Sequence, residues 1–561
     1  MNPFLPLTFS LTLCSLASAQ QPHESQGAMR ASQRAIPIDR VAYDEPGDGN
    51  LWARGVTYKA SFGADGATYI PFLGSKAPRN YPVRMQLKTA SLGGHALDLT
   101  DSARWTRNGD TVILERGEVD VHYHLGLERI EQTFVIDRLT APGDLLVRVA
   151  VDSELNAGQA TSGFRFSGEA GGVDYGRATV LDAAGRSLAV DSRLEGSDIT
   201  ILVPDAFLRS ASYPVVVDPF ISTYTVDGTV VDTWKGDVAF DKTYQRFLHA
   251  YTFDFSQNDS DVYSVTIDET GTPNWADGAW IDMTSTYWAN LSVANNNDSN
   301  SFLVACQVQI GNLYSAWTRS RQLPGIGMGI QRQLNQSSNH CGVPSVGGDA
   351  NMGSGSLYCV AWGELLNGGS SYSNINYRML NSNGTHATPA HTIDNSYNVL
   401  LPDVNVSKSN GAGVSFFRAW NVVWQKDDPV TDSDIHGAQI AYNGNILTPS
   451  FTVDGTPTPH FQPSVSAPLT SALGGAPDFL VVYSAIVNGH TDLNARMFKR
   501  DRYLASYDIT AMEADVLGQA HVDHAQVHPS VATDGDQFIV AYSESLGDFG
   551  DDEVYVSSFA H

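Results

Sequence analysis

The chain has 561 residues, with 61 acidic against 34 basic side chains, a net charge of −27 and a pI near 4.7. That balance excludes binding to nucleic acid or an anionic membrane through a basic surface. The length leaves room for two or three domains, and beyond residue 19 no run of eighteen apolar residues suggests a membrane span.

Met1 to Ala19 carries no charge, is apolar from Phe4 to Leu16, and ends Ala17-Ser18-Ala19 before Gln20-Gln21-Pro22. This is the pattern of a signal peptide, too short to cross a bilayer. Leu13 stands where a lipoprotein would need a small residue before Cys14, so cleavage after Ala19 is expected, followed by secretion to the periplasm, the cell surface or the medium. Residues 20–50 are polar and read as a flexible leader. From residue 51 to 220 short alternating strands follow, such as Val112-Ile113-Leu114, Leu145 to Val151 and Ile199 to Val203. Turn signals such as Asn108-Gly109-Asp110 separate them, and no segment holds a helical period. This stretch is expected to be an antiparallel β-sandwich-like domain.

From Val238 onward a pattern returns about every sixty residues, as the sequence numbering shows. Each copy opens on a valine: Val238, Val293, Val346, Val404, Val465 and Val531. An apolar run follows, such as Phe302-Leu303-Val304-Ala305-Cys306 or Phe479-Leu480-Val481-Val482-Tyr483, with the continuous apolarity of a strand covered on both faces. A third strand then opens on Asp261, Asn312, Asn374, Asp434, Asp492 or Glu553. Repeats of this kind predict a β-propeller. The whole is therefore expected to be all-β: an N-terminal antiparallel β-sandwich-like domain followed by a six-bladed β-propeller over residues 221–561. The sixth copy ends after its third strand. Thr225-Val226-Asp227-Gly228-Thr229 precedes Val238 as the same five residues, Thr452 to Thr456, precede Val465, so strand 221–232 is expected to close the ring and remove its open edges.

Once Cys14 leaves with the signal, Cys306, Cys341 and Cys359 remain. The first two are expected on one propeller face and hence as a disulfide, with Cys359 a buried thiol. No Cys-x-x-Cys pair supports zinc or redox chemistry.

Several segments also carry a resemblance. Gly126-Leu127-Glu128, Glu131-Gln132-Thr133-Phe134, Tyr175-Gly176-Arg177-Ala178, Asp182 to Arg186 and the ending Tyr213-Pro214-Val215-Val216-Val217-Asp218-Pro219 resemble the N-terminal β-domain of large secreted bacterial proteins with propeller or FG-GAP-like repeats. The resemblance covers roughly residues 100–220, and Pro529-Ser530-Val531-Ala532-Thr533-Asp534-Gly535 extends it into the repeats. It implies an extracellular or cell-surface protein and supplies no catalytic residues.

Two constellations are candidates for chemistry. The acids Asp261, Asp434, Asp492 and Glu553 open third strands beside oxygen-rich loops, so calcium is a candidate cofactor. No loop has the Asp-x-Asp-x-Asp-Gly spacing that wraps one ion, and such residues also fold onto the backbone at turns. His521, His524 and His528 form the densest histidine group, entering blade six, and are candidate metal ligands. Trp275, Trp280, Trp288 and Trp317 could form a carbohydrate platform or pack between blades. A Gly-x-Ser-x-Gly elbow, a His-Glu-x-x-His helix and a Ser-x-Asp-x-Gly-x-Thr-Trp box are all lacking. The leading expectation is a non-catalytic adhesion module binding a glycan, matrix or protein partner. The alternatives are an extracellular carbohydrate-active hydrolase or lyase, or a structural surface component.

Overall fold

The computed structural model describes residues 40–560 apart from 65, 100–103, 139–140, 161–162, 226–232, 336–337, 350–355, 366–372, 396–400, 410–417, 428–431, 469–477, 488, 510–524, 534–536 and 546–551. Strand alternation builds the N-terminal part. In Val83–Leu92, for example, Val83, Met85 and Leu87 turn inward while Arg84 turns outward. Strands Leu51–Arg54, Tyr58–Gly63, Gly66–Pro71, Val83–Leu92, Leu145–Ser153 and Asp198–Val203 are successive neighbours in a nine-stranded antiparallel sheet. An eleven-stranded sheet is centred on Arg129–Ile136, which pairs with Asp120–Leu125 on one edge and with Val215–Asp218 and Phe220–Thr225 on the other. The two sheets share one core. The segments that carry the family resemblance have structural duties here. Tyr175 donates to Gln132 Oε1 at 2.8 Å, Gln132 donates to Tyr123, and Asp182 Oδ1 accepts the N–H groups of Ala184 and Arg186 to fix a turn.

Six further antiparallel sheets follow in sequence, giving a six-bladed propeller arrangement. Among the described residues, blades one, four and five have four strands each and blade six has three, Ala525–Thr533, Gln537–Ser545 and Asp552–Ala560. Neighbouring blades are joined near the axis by one repeated bond. The polar residue before each inner valine accepts the N–H of the next blade's valine: Asp237 from Val293 at 2.7 Å, Ser292 from Val346, Ser345 from Val406, Asn405 from Val465 at 3.0 Å, and Ser464 from Val531. The bond also corrects the repeat frame. In blade four the inner valine is Val406 and not Val404, because Val406 faces Val422 as Val465 faces Val481.

The ring closure differs from expectation. Residues 221–225 lie in Phe220–Thr225, which is paired on both edges within the eleven-stranded sheet, and 226–232 fall outside the described residues. A strand with both edges taken cannot also pair with blade six. At the junction of blades six and one, Val238 N–H is bonded to its own Asp237. Val238 and Phe240 on one side and Ile539, Val554 and Val556 on the other stay exposed, Val554 at 74%.

The expected disulfide is also corrected: Cys306, Cys341 and Cys359 are all buried free thiols. Cys306 packs into the core shared by blades one and two, whereas the adjacent Gln307 turns toward blade three and donates to Cys341 O at 2.9 Å. Successive strand residues point to opposite faces, so the wrong one of the pair faces Cys341. No helix among the described residues is long and apolar enough to cross a membrane.

Candidate functional site

The repeated valine fixes a second equivalent position, three residues earlier, where each inner strand begins its run beside the axis. It holds Lys235, Asn290, Val343, Asp403, Gln462 and His528 in blades one to six. Four of these are non-glycine residues in the left-handed region, at φ 46° for Lys235, 50° for Asn290, 52° for Gln462 and 55° for His528. Each sits in or beside a register shift of its strand. An L-residue held there costs roughly 1–2 kcal/mol. Four such residues at one repeat position mark a bulge that re-aims side chains, as bulges beside sites do.

Some of these positions are bonded to their surroundings. Gln462 Oε1 accepts the N–H of His528 at 3.0 Å, and Asn290 donates to Gln307 Oε1 at 2.9 Å. Desolvation within the ring raises the Asp403 pKa above the ordinary carboxylate range, against the opposing pull of Lys235 and His528. Lys235, Asp403 and His528 nevertheless stay open to solvent. Deeper along the axis, Lys408 of blade four bonds Asp237 of blade one and donates to Val293 O of blade two at 2.5 Å. Blades one and four are three places apart in the ring, so this side chain spans the axis and floors the mouth. Asp403 of blade four, Lys235 of blade one and His528 of blade six thus act on one another near the axis, with Gln462 of blade five bonded to His528.

Of the expected metal ligands, His528 lies in this ring, while His521 and His524 fall outside the described residues. Asp261 is occupied by protein cations. It pairs with Arg54 and accepts from Lys59 Nζ at 2.7 Å, and Lys59 also bonds Asp259 and Thr284 O. Arg54 lies over the Trp280 ring at 4.0 Å. Buried Asp282 completes the cluster, accepting from Thr284 and from Gln331. Burial raises the pKa of Asp282 and of Asp259, and Asp261 adds to both. The cluster seats the nine-stranded sheet on blade one and is closed to solvent. Asp434 opens its third strand opposite Lys426, which bonds Asp394; Asp492 stands opposite Ala485, and Glu553 opposite Glu544. Each belongs to a different sheet, and among the described residues no three His, Cys, Asp or Glu side chains form a metal-holding group. Trp280 and Trp288 are buried, and the partly buried Trp317 packs against Trp288 with ring centroids 6.0 Å apart and planes tilted by 59°.

No family model and no curated protein matches the chain. Solved structures similar to it include the NanB sialidase from Streptococcus pneumoniae, at 8% identity over 84% of this chain and 91% of that one, with a TM-score of 0.36. Others are the catalytic domain of the Coprinopsis cinerea GH62 alpha-L-arabinofuranosidase (14% identity, 48% and 89% covered, TM-score 0.28) and an endo-arabinase from Bacteroides thetaiotaomicron (8%, 48% and 94%, 0.29). Their names are those of a sialidase, an arabinofuranosidase and an endo-arabinase, and none is the non-catalytic adhesion module expected from the sequence.

Proposed function

We propose that the protein is a carbohydrate-active hydrolase whose reaction takes place at the axial mouth, with Asp403 as the proton donor. The observation that carries this reading is the raised pKa of Asp403 in a solvent-open ring with Lys235 and His528. A carboxyl whose pKa is raised holds its proton more readily than an ordinary one and can protonate a departing glycosidic oxygen as its bond to the anomeric carbon breaks. Water supplies the oxygen that replaces it, and His528 takes the proton that this water gives up. Lys235 and Gln462 hold sugar hydroxyls. Export is part of the proposal and is supported by the uncharged, apolar Met1 to Ala19 segment. So is a β-sandwich domain over residues 51–220, supported by two sheets that share one core.

The test is the release of reducing ends from a panel of neutral polysaccharides by the unaltered protein and by Asp403→Asn. Loss of activity by about 10²–10⁴-fold with an unchanged melting midpoint is expected. Activity of Asp403→Asn within twofold of the parent, or no hydrolysis of any polymer in the panel, overturns the reading.

A further inference from the structure

Away from the axis, the outer face of the nine-stranded sheet carries a row of polar side chains that neither the docking cluster nor the mouth uses. Across five neighbouring strands the register places Trp52 opposite Ser61, Ser61 opposite Thr68, Thr68 opposite Arg84 and Arg84 opposite Asp152. Their chain neighbours Ala53, Phe62, Tyr69, Val83 and Val151 lie in the core, so alternation turns the row outward, although Trp52 at its end is covered and donates its indole N–H to Asp48. Strands are spaced about 4.8 Å apart, so the row spans about 19 Å. It is the floor of a cleft of about 610 Å³ that is also lined by Asn258 of blade one and by Ser285 in the connection to blade two. That volume is within the roughly 300–1,000 Å³ typical of small-molecule sites.

The chemistry of the cleft selects its ligand. Arg79 is paired with Glu154 at the rim, and Arg84 stands beside Asp152 in the floor, so the cleft is charge-balanced. A polyanion would gain little there and would meet a chain of net charge −27. A peptide strand would require an open sheet edge, and this row crosses the middle of a sheet. Hydroxyl, guanidinium and carboxylate groups repeated at strand spacing offer donors and acceptors in line, and the Trp52 indole closes one end. We infer that this row is a second binding site, for a neutral, extended oligosaccharide chain lying across the strands. It does not depend on hydrolysis at the mouth.

The test uses the full chain carrying Asp403→Asn to prevent turnover, titrated calorimetrically with neutral gluco-, xylo- and arabino-oligosaccharides of increasing length. The expected result is affinity that rises with length and falls about tenfold or more when Arg84→Ala and Asp152→Ala are added, about 1.4 kcal/mol or more. Ser61→Trp, which fills the floor, should act likewise. In the unaltered protein, the same oligosaccharide should protect Arg84 from phenylglyoxal. Melting midpoints check that the variants fold, and the protection measurement stands if they do not. Equal affinity with and without the cleft substitutions, no binding of any neutral oligosaccharide, or an unprotected Arg84 overturns the inference. A failure of hydrolysis alone leaves it standing, because binding is read separately from turnover.

Discussion

Asp403 and His528 show how a site is made from residues distant in sequence. His528 was visible as part of a histidine group, and its partners among the described residues are Gln462 and Asp403 from other blades. Asp403 was legible only as the residue before a repeat valine. The frame shift to Val406 moves it into the ring position. At this scale the pH dependence has a definite sign. A proton donor must be protonated, so kcat should fall on the alkaline side as pH rises through the raised Asp403 pKa. Rate profiles of the parent and of Lys235→Met check this: the substitution removes the neighbour that most lowers the Asp403 pKa and leaves the proposed base, His528, in place, so the alkaline limb should move upward. A downward shift contradicts the arrangement.

The repeating element is the inner strand with its polar residue and valine. The sequence displays the pair openly, as Ser292-Val293, Ser464-Val465 and Ser530-Val531. What the pair does is invisible in one copy, because the hydroxyl serves the neighbouring blade's N–H. Ser464→Ala leaves the buried Val531 N–H without its acceptor and should lower stability by about 1–3 kcal/mol. Ser530→Ala is expected to change stability by less than about 0.5 kcal/mol, because Val238 N–H is already bonded to Asp237. Urea midpoints of the two variants decide it, and equal losses would mean that blade six also bonds blade one. The cysteines teach the same lesson. Cys306 and Gln307 are adjacent, and only the face each one takes decides which can meet Cys341.

For the whole molecule, the seat of the nine-stranded sheet on blade one is the decisive contact. Arg54 and Lys59 meet Asp259 and Asp261 some two hundred residues along the chain, as the hydrogen bonds record. Lys59→Met strands two buried carboxylates and should cost about 3–5 kcal/mol, read as a lower unfolding midpoint. Asp282 gives a pH test. Its folded pKa is raised, so the stability it contributes is present below the unfolded carboxylate value and is lost as pH rises through the folded one. Asp282→Asn, which stays neutral, should therefore melt higher than the parent at pH 8, with the gap narrowing at pH 5. A gap that widens on acidification contradicts this assignment.

By itself the sequence determined the all-β class, the number of blades and the strands within them, because these follow from local apolar patterning and a regular repeat. Only the tertiary structure decided the partners: which strand Phe220–Thr225 joins, which face Cys306 takes, what neutralises Asp261, and which side chains face Asp403. The physical reason is that a strand's pattern states which residues are buried but not against what. A one-residue change of face or a two-residue change of frame leaves the pattern intact and replaces every neighbour.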